Sequence, residues 1–309
     1  MFNLPLVRIS RILAFACLSS IAAISHPSPT QTASPQTKAP VFTPPTSAKR
    51  WTGDLDVLLK HRFLRIGVFY SKTLFYTVQG VQYGVAYETG KEFERFLNTK
   101  FPQQNKNIKV HVIFFVAPRD KAASYLSEGR LDILMGGVTI TPERQKLSDF
   151  SDPMYTDIKE IVVTSPNSRQ PASMDDLAGT EVFVRKTSSY WEHLQALNHR
   201  FQKENKPPVK LTALPEDLGD EDILEMVNSG LLQATVVNDW TAKLWSKLLP
   251  KLQVSDVSIG PGVSYGWAVR KNSPQLLAII NEFVKSHRQG TTFSQRLVTK
   301  YTGSTNMLK

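Results

Sequence analysis

A chain of 309 residues, 41% of them hydrophobic, has room for about two globular domains with an ordinary core. Its formal charge of +10 is scattered among acids, and no zinc-finger, helix-turn-helix or aromatic RNA-binding signature accompanies it, which excludes a nucleic-acid-binding class. The single cysteine, Cys17, excludes a disulfide framework.

From the N-terminus, Arg8 and Arg11 precede an apolar run over 12–24, followed by small residues and then Pro, Ser and Thr, the layout of an export signal. The run is too short to cross a ~30 Å hydrocarbon layer, and no later segment approaches about 18 uninterrupted apolar residues. Ala23 and Ser25 stand three and one before His26, so residues 1–25 are expected to be removed and the protein to be periplasmic. A lipid anchor at Cys17 is the alternative, weakened by its place in mid-run behind the bulky Phe15. Cleavage takes Arg8 and Arg11 and no acid, lowering the charge from +10 to +8 and leaving no thiol, so neither thiol catalysis nor a zinc–thiolate site is expected. No cofactor or metal motif occurs elsewhere. The basic balance suits an anionic ligand, cell-wall polymer or lipid, and equally serves plain solubility.

Residues 26–50 hold six prolines and many Ser and Thr, and read as a disordered linker. Folded sequence begins near Trp51. A buried strand is expected over 63–69 and a helix over 83–96, where Val85, Phe93 and Phe96 stand at near-helical spacing. A strand follows at 110–116, a helix at 120–126 and a strand at 131–135, the grammar of a doubly wound α/β sheet. The plan then restarts, with strands at 160–164 and 181–185, a helix at 189–201, a strand at 211–214, a helix at 220–228 and a strand at 234–237. A last strand at 266–269 precedes helices at 274–286 and 293–301. Two similar α/β halves imply a cleft, and in open α/β sheets ligands bind beyond the carboxyl ends of strands.

Three strand-to-helix turns are therefore candidates. In the first, Gly136 and Gly137 let a ligand approach the backbone, Thr141 and Pro142 start a helix, and Arg144 can fork onto a carboxylate beside the Thr139 hydroxyl. Read more plainly, Thr141 caps and Arg144 is a surface side chain. The second turn strings Thr187, Ser188 and Ser189 at a helix start, where one hydroxyl suffices as a cap and the others can serve a ligand or face water. In the third, Asp239 suits a ligand ammonium, or Asn238 or Asp239 is an ordinary cap. Together they suit a zwitterion spanning two lobes. Aromatics near these turns, Tyr70, Phe75, Tyr76, Tyr190 and Trp191, suit a pocket lining, though most aromatics at such spacings are core.

The run GRLDILMGGVTITPERQKLSDFSDPMY at 129–155 resembles the family 3 extracellular solute-binding proteins. LRIGV at 64–68, MDDLAGTEVFVRKTSSY at 174–190 and GLLQATVVND at 230–239 follow in the same order, so the likeness covers about 60–302. Residues 51–76, with GVAYETGKEFERFLN, are also similar to the N-terminal module of the membrane-bound lytic transglycosylases F. The end at Lys309 leaves no length for their catalytic domain, so transglycosylase activity is not expected.

The resemblance implies a two-lobed type II periplasmic binding protein, with lobe 1 from 51–159 plus 264–309, lobe 2 from 160–263, and two crossings as hinge. It places Arg144 and Thr139 on a ligand carboxylate, Gly137 as a backbone group, Ser188 and Ser189 at the second-lobe helix start, and Asp239 on the ligand amine. Two departures put the ligand type in question: Tyr70 or Lys72 stands near the family's first-loop aromatic, and Thr187 replaces a common glycine. A monomeric, non-catalytic binder of an amino acid or short peptide is expected, serving an inner-membrane permease or a cell-wall enzyme. The rival readings are a regulatory module that binds cell-wall fragments, and an enzyme using Glu88 or Glu192 as general acid.

Overall fold

The computed structural model describes residues 50–102 and 108–303. The expected export signal, the Cys17 anchor and all of the linker but Arg50 lie outside the described residues.

Strand Phe63–Val68 is buried at every position after Phe63, as befits an apolar run in the middle of a covered parallel sheet. It pairs in parallel with His111–Val116 on one side and Ile133–Leu134 on the other. Ala268–Val269 then joins antiparallel to Ile133–Leu134, and Asp149–Phe150 closes the far edge. Helix Val85–Lys100 buries Phe93 and Leu97 against this sheet, and helix Pro274–His287 adds Phe283. Phe93 meets Trp267 and Phe283 edge-on, with centroids 5.1 Å apart in each pair, the geometry that aromatic quadrupoles favour.

One buried ion network braces this lobe. Asp132, fully buried, accepts from the Arg65 backbone N–H and Nε at 2.9 Å each and from Nη2 at 2.6 Å. Arg270 stands 3.6 Å away, and its own guanidinium caps the carbonyls of Leu126 and Leu131. The acid is thus paired, as a buried charge must be.

In the second lobe, Glu160–Thr164 is the centre of an antiparallel three-stranded sheet between Ala234–Asn238 and Gln253–Ser258. Glu181–Arg185 and Lys210–Leu214 form a parallel pair beside it. Thr235 ties the two pieces, its hydroxyl donating to the Phe183 carbonyl at 2.7 Å. The apolar face of helix Ser189–Lys203 packs Leu194, Leu197 and Phe201 over the parallel pair.

The chain passes between lobes twice, through Tyr155–Ile158 and Val263–Tyr265. These strands pair antiparallel, Ile158 opposite Val263 and Tyr155 opposite Tyr265, and make a two-strand hinge. Among the described residues no helix is long and apolar enough to cross a membrane.

Candidate functional site

The strand Ile133–Leu134 runs into Gly136 and Gly137, whose φ values of +89° and +80° lie where glycine is favoured. A Cβ on Gly137 would stand 3.0 Å from Leu74 Cδ1, so the turn is both left-handed and tight. Thr141 then caps helix Pro142–Leu147, accepting from the Arg144 N–H at 3.3 Å. The helix has six residues, so the capacity of this turn to hold an anion rests on the Arg144 guanidinium rather than on a helix dipole.

That guanidinium reaches across the cleft. Nε donates to Glu192 Oε1 at 3.1 Å and Nη2 to the Thr187 carbonyl at 2.8 Å, both in the second lobe, while Nη1 donates to the Thr139 carbonyl at 3.2 Å. Beside it, Thr139 Oγ1 lies 3.2 Å from Ser189 Oγ, a third bond between lobes. Ser189 in turn donates to Glu160 Oε1, and His193 Nδ1 lies 2.5 Å from Glu160 Oε2. The hydrogen bond to Glu160 is what raises the His193 pKa above its ordinary value, against the effect of partial burial.

Arg144, Thr139, Gly137, Ser188 and Ser189 line one cavity of about 490 Å³, within the usual range for small-molecule sites. Ser188 is occupied as a helix cap: its Oγ accepts from the Trp191 N–H at 3.2 Å and donates to the Arg185 carbonyl at 2.6 Å. Tyr70 and Lys72 line neither this cavity nor the smaller one beside it. Tyr70 points outward, 51% exposed, and Lys72 reaches across to Glu225 at 3.0 Å, so the first loop presents Phe69 and Ser71 instead.

Asp239 also departs from the expected arrangement. It lines the smaller cavity of about 280 Å³, whereas its neighbour Asn238 faces the larger one that holds Arg144. Asn238 ends a strand and Asp239 begins helix Asp239–Trp245, so the two successive side chains leave the backbone in different directions. The Asp239 carboxylate accepts from the Trp240 N–H at 2.9 Å, whereas Asn238 Oδ1 is buried and has no hydrogen-bond partner.

The larger cavity also has residues that the turn-by-turn reading passed over. Arg119 lies over the Phe69 ring, 4.7 Å from its centroid, and donates only to the Tyr70 carbonyl at 3.5 Å. Burial, and then the neighbouring Arg185, pull its pKa down to about 10. Across the cleft, Asp220 takes Arg185 Nη2 at 2.5 Å and the Tyr190 hydroxyl at 2.9 Å, and the charges of Arg185 and Arg119 hold it ionised against a strong burial effect. Glu221 accepts from the Ser71 hydroxyl at 2.6 Å, a further link between lobes, and its pKa is raised by burial. Arg119 follows strand His111–Val116 after Ala117 and Pro118, beyond the carboxyl end of a parallel strand, which is the position that could have marked it.

Of the two acids considered for catalysis, Glu192 lines this cavity bound to Arg144. Glu88 lines neither cavity and is bonded to Lys300 and, at 2.6 Å, to the Tyr301 hydroxyl, which together overcome partial burial and keep it ionised. No cluster of three or more His, Cys, Asp or Glu suited to a metal occurs among the described residues.

The model of the bacterial extracellular solute-binding proteins, family 3, matches residues 72–304. Membrane-bound lytic murein transglycosylase F of Pseudoalteromonas translucida is 25% identical over 228 residues, 73% of this chain and 44% of that protein. Its counterpart from Ectopseudomonas mendocina is 26% identical over 192 residues, 60% of this chain and 37% of that protein. The chain thus spans less than half the length of these curated relatives. Among solved structures, an ancestral arginine-binding protein bound to arginine matches with a TM-score of 0.62 at 23% identity, over 77% of this chain and 97% of that one. The ancestral amino acid-binding protein AncCDT-1, a precursor of cyclohexadienyl dehydratase, gives 0.61 at 24% identity, over 80% and 98%. At such identities the likeness establishes the architecture, that of the two-lobed type II periplasmic binding proteins.

Proposed function

The chain belongs to the bacterial extracellular solute-binding proteins, family 3, and we propose that it is an exported, non-catalytic binder that closes two lobes around an amino acid or short peptide. Lobe 1 comprises 51–159 with 264–309 and lobe 2 comprises 160–263. The single observation that carries this reading is Arg144, which rises from one lobe and places two of its three hydrogen bonds on the other.

A ligand carboxylate takes the Glu192 place on that guanidinium, with the Thr139 and Ser189 hydroxyls beside it, in the bidentate geometry that favours Arg over Lys. Gly137 allows the close approach. The ligand ammonium donates to Asn238 Oδ1, a buried acceptor whose lack of a partner costs about 1–3 kcal/mol until something fills it. Binding contacts from both lobes then shift an open–closed balance towards the closed form.

Calorimetry of the common amino acids and short peptides tests this directly. The expected result is saturable binding that Arg144→Ala abolishes and Asn238→Ala weakens at least tenfold. Unchanged binding in both variants sinks the reading.

Delivery to an inner-membrane permease is one use of such closure. The transglycosylase relatives support a second, in which the closed form regulates a cell-wall lytic enzyme and the ligand is a cell-wall peptide. Retention of the chain on murein sacculi, competed by the same peptide that binds in calorimetry, favours the second use over the first.

A further inference from the structure

The smaller cavity lies against the hinge and shares Gly136, Gly137, Trp240 and Tyr265 with the larger one as a common wall. Arg144 lines only the larger, Asp157 and Asp239 only the smaller. Its charge is one-sided: two carboxylates border it, and among the described residues no Lys, Arg or His does. Neither Asp157 nor Asp239 has a cationic partner within 4.0 Å among the described residues.

Three further features bear on what would fill it. Four aromatic rings, Tyr155, Trp240, Tyr265 and Trp267, wall the space, and electron-rich ring faces attract cations. Met135 and Met154 add apolar surface that can mould to a short hydrocarbon body. Thr73, only 1% exposed, lines the cavity with its Oγ1 buried and without a hydrogen-bond partner, an acceptor that a donor in the cavity would satisfy. Asp157 is an exposed carboxylate. It sits on the hinge strand at φ +56°, and a Cβ on Gly262 would come within 2.5 Å of its Oδ1.

From this combination we infer that the hinge-side cavity is a second ligand site, selective for a small organic ammonium ion that carries no carboxylate. The ammonium sits between Asp239 and Asp157, and its hydrocarbon part lies against Trp267 and the two methionines. Because the walls come from both hinge strands and from the start of helix Asp239–Trp245, an occupant touches both lobes and is coupled to whatever the larger cavity holds. The site does not depend on the reading given for the larger cavity, since the ligand lacks the group that Arg144 would bind.

The test titrates n-butylammonium and phenethylammonium against 1-butanol into the full chain at neutral pH, read by tryptophan fluorescence and thermal shift. Saturable ammonium binding is expected, at least tenfold tighter than that of the alcohol, retained in Arg144→Ala and weakened at least tenfold in Asp239→Asn. Asp157→Asn and Thr73→Val provide the same comparison should Asp239→Asn fail to fold. Equal affinity for alcohol and ammonium, no saturable ammonium binding, or binding lost in Arg144→Ala and kept in Asp239→Asn overturns the inference. The last outcome moves the amine to the larger cavity.

Discussion

Replacing Glu192 by Gln removes one charge from a bond that joins the two lobes. Arg144 Nε and Glu192 Oε1 are 3.1 Å apart, and their side chains are 23% and 27% exposed. At an effective dielectric constant of about 20 the bare attraction at this distance is roughly 5 kcal/mol, but desolvation and side-chain ordering cancel most of it. A net of about 1 kcal/mol remains, between the values for exposed pairs and for hydrogen bonds to charged groups. A ligand carboxylate must displace Glu192 to reach the guanidinium, so Glu192→Gln is expected to tighten amino-acid binding about fivefold. Small-angle scattering should show the ligand-free variant more open, since one of its links between lobes is weaker. Isothermal calorimetry on wild type and variant decides the matter. Tenfold weaker binding in Glu192→Gln would mean that Glu192 holds the ligand itself, and would refute the reasoning.

Other consequences are open to direct measurement. Asp132→Ala strands Arg65 and Arg270 in the first-lobe core and should cost about 3–5 kcal/mol in urea unfolding. Gly84→Ala should be strongly destabilising, because Gly84 sits at φ +116° and the new Cβ would meet the Leu74 carbonyl oxygen at 2.3 Å. Thr141→Ala removes the cap in front of Arg144 and should lower stability by about 1 kcal/mol. The bond to Glu160 raises the folded-state pKa of His193, so its stabilising contribution is complete below the ordinary value of 6.5 and fades as pH climbs through the raised value. Thermal denaturation between pH 6 and pH 9 should show that loss in wild type and a flatter profile in His193→Gln.

The strands Glu160–Thr164 and Glu181–Arg185 were legible to the residue, because apolar, largely β-branched runs bounded by polar turns declare a buried strand without reference to partners. Gln253–Ser258 was not. Its Gln, Ser and Asp give no apolar run, and the strand is defined by its pairing with Glu160–Thr164. The hinge strands were hidden for the same reason, each being short and dependent on the other for its ladder. Helix Leu55–His61 was passed over although Asp54 marks its start. That aspartate accepts from Leu55 N–H, and also from the N–H groups of Gln275 and Leu276, so it serves two helices far apart in sequence.

In the cleft, the first turn could be read locally because Thr141, Pro142 and Arg144 carry their own geometry. The choice between Asn238 and Asp239 could not, since it depends on which side chain the end of a strand sends inward. Arg119 could be marked only by its place after a parallel strand, and its significance arises when Asp220 and Glu221 are brought opposite it from another lobe.

Among the described residues, side chains bond across the lobes from Arg144 to Glu192 and to the Thr187 carbonyl, from Thr139 to Ser189, from Ser71 to Glu221 and from Lys72 to Glu225. Two of these bonds join opposite charges that are partly exposed, and salt screens such pairs over about 10 Å. The opening of the cleft should therefore respond strongly to ionic strength. If the chain is the exported binder proposed above, the salt concentration of its surroundings would then set how readily it releases its ligand.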